Sequence, residues 1–419
     1  MRMQHSCLPG KTRCAPNYKL RTVQAPTILE SSTMHTPVSR RAVLGAGTVG
    51  GLGLMGLLQG CDNVPSTLKI GVAQPLSGNL AALGQDLLNG VNLAVEELNK
   101  QGFRVKGKPV TFEVVAVDDR ANADTGKEVA QQLVNAGVVA VVGHLNSGVS
   151  IAAAPIYAEK SIAQLAISTN PKYTALGLPT TFRLVANDNL QAKAIGSFSS
   201  SHFTATRYAV LDDGTPYGKD LAAGATVELK KAKKEVVHQQ SFDDKTKAFD
   251  ELAAKLKATQ TEVIVSTLND FQVLALLEAL QKVGHTQVYL LGGDTIKTTL
   301  TLKGTGIIRG LIATSPILEV QEFPTGAAFL DKYRAKFKVD PAYGGHYTYD
   351  AMHVLAAAIR RSETGKPQDV VDALRKIDGY APVTGSMKWD EKGEQRYGVI
   401  SVYAARGARW ESQVRSDSW

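Results

Sequence analysis

The sequence predicts an α/β fold in which two doubly wound units of parallel sheet enclose a cleft. Short runs rich in Val, Ile and Leu alternate with longer helical patterns, and such near-continuous apolar strands are typical of a parallel sheet that is buried on both faces. The alternation begins at residue 68 and restarts at residue 207, which indicates a second unit of the same kind. Without its first 60 residues the chain keeps 359 residues, which is enough for two domains.

The first unit alternates four strands with three helices. The predicted strands are 68–76, 110–119, 138–144 and 162–168, and the predicted helices are 82–102, 122–137 and 147–160. The first strand, "LKIGVAQPL", is apolar almost throughout, and the second helix ends on Gly137, a residue favoured just after a helix.

The second unit repeats this order and is followed by a helical final third. Its predicted strands are 207–213, 235–243, 261–268 and 287–293, and its predicted helices are 217–232, 248–259 and 271–284. Three further helices are predicted at 325–337, 347–362 and 367–377. We expect a closing hairpin over 385–405 with its turn at residues 390–393, "DEKG".

The segment "SRRAVLGAGTVGGLGLMGLLQGCD" at residues 39–62 predicts export. It contains G-x-G-x-x-G, but no strand precedes the glycines as a dinucleotide site requires. Its uncharged run is near the minimum for a membrane span, and its many glycines weaken it as a helix. Arg40 and Arg41 resemble a twin-arginine export motif, and "LQGC" resembles a lipobox in which Cys61 is lipidated and becomes the first mature residue. We therefore expect residues 1–60 to hold the leader. Residues 1–33 are expected not to be translated normally, with translation starting at Met34; the alternative is that they form a long n-region of the twin-arginine signal.

The mature chain is nearly neutral. The full sequence has 47 basic and 39 acidic residues; residues 1–60 hold seven of the former and one of the latter, which leaves a net charge of +2 instead of +8. This balance does not support a nucleic-acid-binding face. Two of the three cysteines, Cys7 and Cys14, also lie in the leader, so no internal disulfide is expected.

The predicted sheets place the ligand site at five segments. In doubly wound sheets, ligands bind beyond the carboxyl ends of the strands. That rule selects residues 75–79, 144–148, 168–171, 212–217 and 292–295.

Four residues in these segments have side chains suited to a ligand. Ser147 begins a helix, where its hydroxyl and the free N–H groups of the first turn would receive a carboxylate, although Ser is also a common N-cap. Thr169 is either a ligand residue or a turn residue. Tyr217 opens a helix and is either a ligand residue or a surface aromatic, and Asp294 follows two glycines and is either a ligand residue or a helix cap.

Motifs for catalysis, metal binding and cofactors are missing from the sequence. It contains no H-E-x-x-H, C-x-x-C, P-loop or G-x-S-x-G pattern. Ser147 and His144 lie on one loop, but no orienting acid for a hydrolase is named by the sequence, so His144 is expected to hydrogen-bond within its loop. We predict a protein that is not an enzyme and that binds no metal and no cofactor.

Several segments together resemble the leucine/isoleucine/valine-binding proteins, the substrate-binding components of branched-chain amino acid ABC transporters. The segments are "IGVAQPLSGNLAALGQDLLNGVNLAVEELNKQG", "VVGHLNSG", "STNPKYT", "TTFRLVAND", "DDGTPYGKDLA", "GGDT", "YTYDA" and "WDEKGE". They extend over about residues 67–410. The resemblance implies two Rossmann-like lobes joined by three crossover segments, the type I periplasmic-binding fold, closing on an α-amino acid.

The resemblance implies six ligand-binding positions. They are Leu145, Ser147, Ile167, Thr169, Tyr217 and Asp294. The backbone at Leu145 and the hydroxyls of Ser147 and Thr169 are similar to a carboxylate site, and the backbone at Ile167 matches less closely. Thr169 and Asp294 resemble the partners of the ligand ammonium, and Tyr217 covers the zwitterion. Burying both charges of a zwitterion requires hydrogen bonds to each.

This chain departs from the family at several positions. Leu83 replaces an aromatic residue over the side-chain pocket, and Asn269 replaces a Tyr of some members, which leaves side-chain specificity open. Ala121 and Asn146 stand where some members have a disulfide.

The resemblance also implies an organisation and partners. The expected first lobe is 67–187 with 317–385, and the second is 188–316 with 386–415. We expect a monomeric receptor at the periplasmic face of the membrane, held by a lipid anchor, that delivers its amino acid to an ABC permease and ATPase. The alternatives are a sensor of amides, urea or other small solutes on the same fold and, with least support, a hydrolase that uses Ser147 and His144.

Overall fold

The computed structural model describes residues 64–418. The predicted leader with Arg40 and Arg41, and Cys61 directly after it, lie outside the described residues. Among the residues that are described, no helix is both long and apolar enough to cross a membrane.

A parallel five-stranded sheet forms the centre of the first lobe, in the order β4-β1-β5-β6-β7. The strands of this region are β1 Thr67–Gln74, β2 Arg104–Val105, β3 Lys108–Pro109, β4 Thr111–Asp118, β5 Ala140–Gly143, β6 Ala163–Ala166 and β7 Thr181–Arg183. The helices are α1 Ala81–Lys100, α2 Ala123–Asn135, α3 Ser147–Ala158 and α4 Lys172–Ala175. Every residue of β5 and β6 is buried, which explains why these strands are apolar except at Gln164.

A seven-stranded sheet forms the centre of the second lobe, in the order β16-β15-β12-β11-β10-β8-β9. Its strands are β8 Arg207–Asp212, β9 Glu235–Ser241, β10 Val263–Thr267, β11 Tyr289–Gly292, β12 Gly310–Ser315, β15 Ser401–Arg406 and β16 Arg409–Arg415. Its helices are α5 Asp188–His202, α6 Pro216–Lys231, α7 Asp250–Ala258, α8 Asp270–Lys282 and α9 Thr299–Leu302. Strands β8 to β12 are parallel, whereas β15 and β16 are antiparallel additions at one edge.

The described chain passes between the lobes three times. It leaves the first lobe after β7, returns after β12 and leaves again after β14. The returning segment contains α10 Gly326–Phe337, α11 Gly345–Ser362, α12 Pro367–Arg375, β13 Gly379–Ala381 and β14 Gly385–Met387. Its buried residues share one hydrophobic core with β1 and α1, so the first lobe is assembled from two distant parts of the chain.

The predicted closing hairpin forms only next to its turn, where Trp389 and Gln395 make an antiparallel bridge and Arg396 N donates to Lys388 O at 2.9 Å. The turn at residues 390–393 does form, with Gly393 N donating to Asp390 O at 3.1 Å. However, β14 pairs with β13, and β15 forms its hairpin with β16. The reason is Trp389, which is buried against Phe182 and holds the chain on the first lobe.

Helix α5 and strands β7 and β12 were not predicted. Helix α5 contains four serines and one glycine, which are weaker helix formers than alanine, and its packing against α6 and β12 overrides that preference. Strand β7 has only three residues.

The lobe boundaries remain predictions, and the contacts favour one change to them. Trp389 Nε1 donates to Arg183 O at 2.6 Å, and Glu394 pairs with the Arg183 side chain. Both contacts reach the first lobe from beyond the predicted boundary at residue 386. We propose that the third crossing begins after Glu394.

Candidate functional site

A cavity of about 530 Å³ lies between the two lobes, at the carboxyl ends of their strands. All five segments selected by the strand-end rule contribute to its walls, and so do all six predicted ligand residues. These are Leu145, Ser147, Ile167, Thr169, Tyr217 and Asp294. The volume lies within the range of about 300–1,000 Å³ that is usual for small-molecule sites. The structure therefore brings the predicted residues together; that they bind a ligand stays a prediction.

The N-terminus of α3 forms one wall of the cavity. Ser147, Gly148 and Val149 are its first three residues, and all three line the cavity. The first N–H groups of a helix have no acceptor within the helix and carry the positive end of its dipole. Asn146 occupies the N-cap position, so the interpretation of Ser147 as the cap is wrong. The Ser147 hydroxyl instead lies beside groups suited to an anion.

Thr169 lies in a tight segment that follows β6. It is buried, and its carbonyl oxygen accepts a hydrogen bond from Asp188 N at 2.9 Å. Ser147 Oγ accepts a hydrogen bond from Asn170 N at 3.3 Å, which joins this segment to the start of α3. The Ser147 and Thr169 hydroxyls are thereby held on one side of the cavity, in the first lobe.

Asp294 faces them from the second lobe and is 4% exposed. Tyr217 Oη donates to its Oδ1 at 2.9 Å, and Tyr343 Oη donates to its Oδ2 at 2.7 Å. Burial and the charge of Asp294 raise the pKa of both tyrosines well above their usual range, so both remain neutral donors. Asp294 lies in a short 3-10 turn that begins after Gly293, and its carboxylate bonds to tyrosines and caps no helix.

A second carboxyl group lies near Asp294. Asp188 is the first residue of α5 and is 3% exposed. Burial, and then the negative charge of Asp294, raise the pKa of Asp188 well above its usual range. The Thr169 hydroxyl opposes this shift, although it forms no hydrogen bond of good geometry with the carboxyl group. Two neighbouring buried acids are best stabilised by a cation between them, which is the charge of a ligand ammonium.

Tyr343 lines the cavity and was missed by the sequence interpretation, as was Asp188, a buried acid behind the cavity wall that does not line it. Tyr343 follows no strand and reaches the site from the segment before α11. Its backbone N–H donates to Asp86 Oδ2 at 2.9 Å, and Gly345 N donates to the same oxygen at 2.8 Å. Asp86 lies on α1, so this contact between two helices positions the tyrosine. The rule that ligands bind beyond the carboxyl ends of strands does not identify a residue such as Tyr343, which follows no strand.

The remaining wall of the cavity is mixed in character. Leu83 and Leu80 provide apolar surface from the first lobe, and Phe271 provides it from the second. Beside them, Asn269 Nδ2 donates to Asp213 Oδ2 at 3.2 Å, and burial raises the pKa of Asp213 to about 6. This end can accept an aliphatic side chain against the leucines and tolerates a polar atom near Asn269.

Direct contacts join the lobes at the rim of the cavity. Asn170 Nδ2 donates to Pro216 O and to Asp220 Oδ2, both at 2.8 Å. Lys172 Nζ lies 2.8 Å from Asp220 Oδ2. A Cβ atom added at Gly148 would lie 3.0 Å from the Pro216 ring, so the helix ends also approach closely. The cleft is therefore closed in this structure.

His144 takes no part in the cavity wall. Its ring is fully buried, with Nδ1 2.7 Å from Asp119 Oδ2 and Nε2 3.2 Å from Tyr157 Oη. Both ring nitrogens are thus occupied, and neither is available to activate Ser147. Asp119 is the acid that the sequence did not name, and it orients a structural histidine. Within residues 64–418, no group of three or more His, Cys, Asp or Glu side chains is placed to hold a metal ion.

Comparison with known proteins gives a consistent result. A family model described as periplasmic binding protein matches residues 67–408. The chain is 28% identical over 344 residues to "Leu/Ile/Val-binding protein homolog 1" of Brucella abortus (strain 2308), covering 82% of this chain and 90% of the relative. It is also 28% identical over 338 residues to the leucine-, isoleucine-, valine-, threonine-, and alanine-binding protein of Pseudomonas aeruginosa, covering 80% and 89%.

The fold is likewise similar to that of solved structures. The crystal structure of the leucine-binding protein LivK from Thermotoga maritima superposes with a TM-score of 0.75 at 22% identity, covering 84% of this chain and 100% of that one. At that identity the likeness concerns the fold alone. The predicted two-lobed α/β fold of the type I class is confirmed.

Proposed function

Because the chain belongs to the periplasmic binding protein family, we propose that it is a solute receptor that captures an α-amino acid between its two lobes. The sequence resemblance to the leucine/isoleucine/valine-binding proteins is confirmed at the level of the family. The observation that carries the proposal is the charge arrangement of the cavity, in which a helix N-terminus faces a buried acid across the cleft.

The carboxylate of the ligand is proposed to lie at the start of α3. The unpaired N–H groups of the first helical turn and the Ser147 hydroxyl supply donors, and the Thr169 hydroxyl adds another from the neighbouring strand end. The backbones at Leu145 and Ile167 line the same wall. Hydrogen bonds to a charged group contribute about 1.5–3 kcal/mol each, and several of them are needed to offset the cost of removing a carboxylate from water.

The ammonium of the ligand is proposed to lie against Asp294. The two tyrosines that donate to this carboxylate fix its orientation, and a bound ammonium would also favour ionisation of the buried Asp188. Tyr217 reaches the ligand from the second lobe. Since the acid and the helix N-terminus belong to different lobes, a zwitterion that touches both favours the closed state by its differential affinity.

The side chain of the ligand is proposed to be aliphatic, and branched-chain amino acids are the leading candidates. Leu80 and Leu83 supply the apolar contact, and the curated relatives are named for binding such amino acids. A sensor of amides or urea is the competing function, because the polar pair Asn269 and Asp213 lies in the same cavity. These solutes lack the carboxylate that the start of α3 would receive.

We further propose that the receptor delivers its ligand to an ABC permease and ATPase, as a monomer held at the outer face of the cytoplasmic membrane. The support is the sequence of the leader. Arg40 and Arg41 resemble a twin-arginine signal, and Cys61 ends a lipobox-like segment.

A ligand screen tests the amino acid proposal. Residues 61–419, which form one compact unit, are screened by thermal shift against the twenty amino acids, small amides and urea. A ligand present at a hundred times its Kd adds about 2.7 kcal/mol of stability, which is readily measured. Titration calorimetry then compares the best amino acid with its amide and with its decarboxylated amine.

We expect a branched-chain amino acid to give the largest shift, and both analogues to bind at least tenfold more weakly. Stabilisation by urea or an amide, with none by any amino acid, would favour the sensor. Equal binding of the amino acid and its amide would contradict the carboxylate site at α3.

A further inference from the structure

Arg183 is the largest side chain that is completely buried in the described residues. It is the last residue of β7, one of the two edge strands of the first sheet. Its guanidinium donates to the backbone carbonyl oxygens of Ser168 and Asn170, the second at 3.0 Å. These two carbonyls flank Thr169, so the guanidinium holds both ends of the segment that presents the Thr169 hydroxyl to the cavity.

Glu394 holds Arg183 in place from the third crossing. Arg183 Nε donates to Glu394 Oε2 and Nη2 donates to Oε1, both at 3.0 Å, which is the paired geometry that fixes both planes. Burial by itself would raise the pKa of Glu394, but the hydrogen bond and charge of Arg183 lower it below its usual range. The carboxylate is therefore ionised at neutral pH.

The same carboxylate reaches the first crossing. Asn187 Nδ2 donates to Glu394 Oε2 at 3.1 Å, and Asn187 is the N-cap of α5, the helix that begins with Asp188. The Thr174 hydroxyl donates to Glu394 and accepts from Arg183. One ion pair thus connects two of the three crossings to the Ser168–Asn170 segment.

We propose that Arg183, oriented by Glu394, is a positioning residue that sets the Ser168–Asn170 segment for ligand binding and couples it to the crossings between the lobes. This inference rests on the proposed function, because it concerns the same cavity. A buried ion pair is a poor source of net stability, whereas its directional hydrogen bonds specify one geometry. The shape of the segment, and through it the affinity for ligand, is therefore what the pair controls.

Arg375 provides a matched control. Its guanidinium also donates to backbone carbonyls, those of Leu178, Pro179 and Thr181 in the first lobe and those of Asp390 and Glu391 in the turn before Glu394. None of these residues lines the cavity. Replacement of Arg375 by lysine therefore removes the same kind of bonds from the same lobe without touching the Thr169 segment.

The experiment compares Arg183→Lys with Arg375→Lys in residues 61–419. Lysine keeps the charge but cannot make the forked contacts of a guanidinium. Calorimetry measures the Kd for the amino acid that the screen identifies, and hydrogen exchange of the ligand-free protein measures protection over residues 163–174. For Arg183→Lys we expect Kd to rise at least tenfold and exchange in that segment to become faster. For Arg375→Lys we expect a change in Kd below about twofold and unchanged exchange there.

Equal effects of the two variants on Kd and on exchange would overturn the inference. If Arg183→Lys does not fold, Glu394→Gln replaces it, since Gln keeps the shape and one acceptor; wild-type Kd and wild-type exchange in that variant would equally overturn it. If wild type binds no amino acid, the proposed function fails, and the exchange comparison alone decides whether Arg183 sets the segment.

Discussion

Replacing Asp294 by asparagine separates its charge from its role as a hydrogen-bond acceptor. Asp294 accepts from Tyr217 at 2.9 Å and from Tyr343 at 2.7 Å. Asn has nearly the same shape, and its side-chain oxygen still accepts from one tyrosine while its amide donates to the oxygen of the other. Asp294→Asn therefore keeps the packing and removes the negative charge that faces the ligand ammonium.

The expected loss follows from the type of contact. A hydrogen bond to a charged group contributes about 1.5–3 kcal/mol. Since about 1.4 kcal/mol corresponds to a factor of ten, Asp294→Asn should raise Kd about 10- to 150-fold. Asp294→Ala should also lower the stability of the ligand-free protein, because it leaves two buried tyrosine hydroxyls without an acceptor, at a cost of about 1–3 kcal/mol each.

Calorimetry and thermal unfolding of the two variants test this reasoning. We expect Asp294→Asn to bind more weakly with an almost unchanged Tm in the absence of ligand, and Asp294→Ala to lose both affinity and Tm. A Kd for Asp294→Asn within about threefold of wild type would refute an ionic contact with the ammonium. An unchanged Tm in Asp294→Ala would refute the importance of the two tyrosine hydrogen bonds.

Three further predictions concern the second acid, the closed rim and the leader. Because burial raises the pKa of Asp188 well above its usual range, its carboxyl group is protonated below that pKa, and a bound ammonium favours the ionised form. Ligand binding should then release a proton, and the affinity for ligand should increase as pH rises. Asp188→Asn should lose this pH dependence and be more stable than wild type at neutral pH. Calorimetry in buffers of different ionisation enthalpy measures the released proton, and equal proton release by both proteins would exclude Asp188 as its source. Asp220→Ala removes the ion pair with Lys172, worth about 0–1 kcal/mol, and the hydrogen bond from Asn170 to the same carboxylate, worth about 1.5–3 kcal/mol, so ligand dissociation should quicken about tenfold or more in stopped flow. An unchanged rate would mean that these rim contacts do not hold the cleft shut. Replacing Arg40 and Arg41 by lysine should leave the precursor in the cytoplasm, and Cys61→Ser should release the protein from membranes; cell fractionation that finds normal export or normal retention would contradict the respective motif.

The elements and the location of the site were accessible from the sequence because they depend on local pattern. Strand β5 is recognisable in the sequence because all of its residues are buried and therefore apolar or small, and α3 begins shortly after it, at Ser147. The ends of parallel strands meet at one edge of a sheet, so finding the strands locates Ser147 and Thr169.

The missing parts depend on contacts between distant segments. Tyr343 reaches Asp294 across 49 positions and is oriented by Asp86 across 257 positions, and no periodic pattern encodes either contact. The pairing of the last strands failed for the same reason. Trp389 packs against Phe182 in the first lobe, and the turn at residues 390–393 pairs only the residues next to it. The turn therefore does not decide which strands pair.

The rim contact between Lys172 and Asp220 lends itself to an optical readout. The sequence has cysteines only at positions 7, 14 and 61, so a chain that begins at residue 62 has none. A single cysteine introduced in place of the exposed Lys219, next to Asp220, would be the one thiol available to a dye, and it would lie near the rim without removing the contacts of Asp220. Fluorescence from an environment-sensitive label at that position would then follow the opening and closing of the cleft in real time, and the protein could serve as a reagentless sensor for its own ligand.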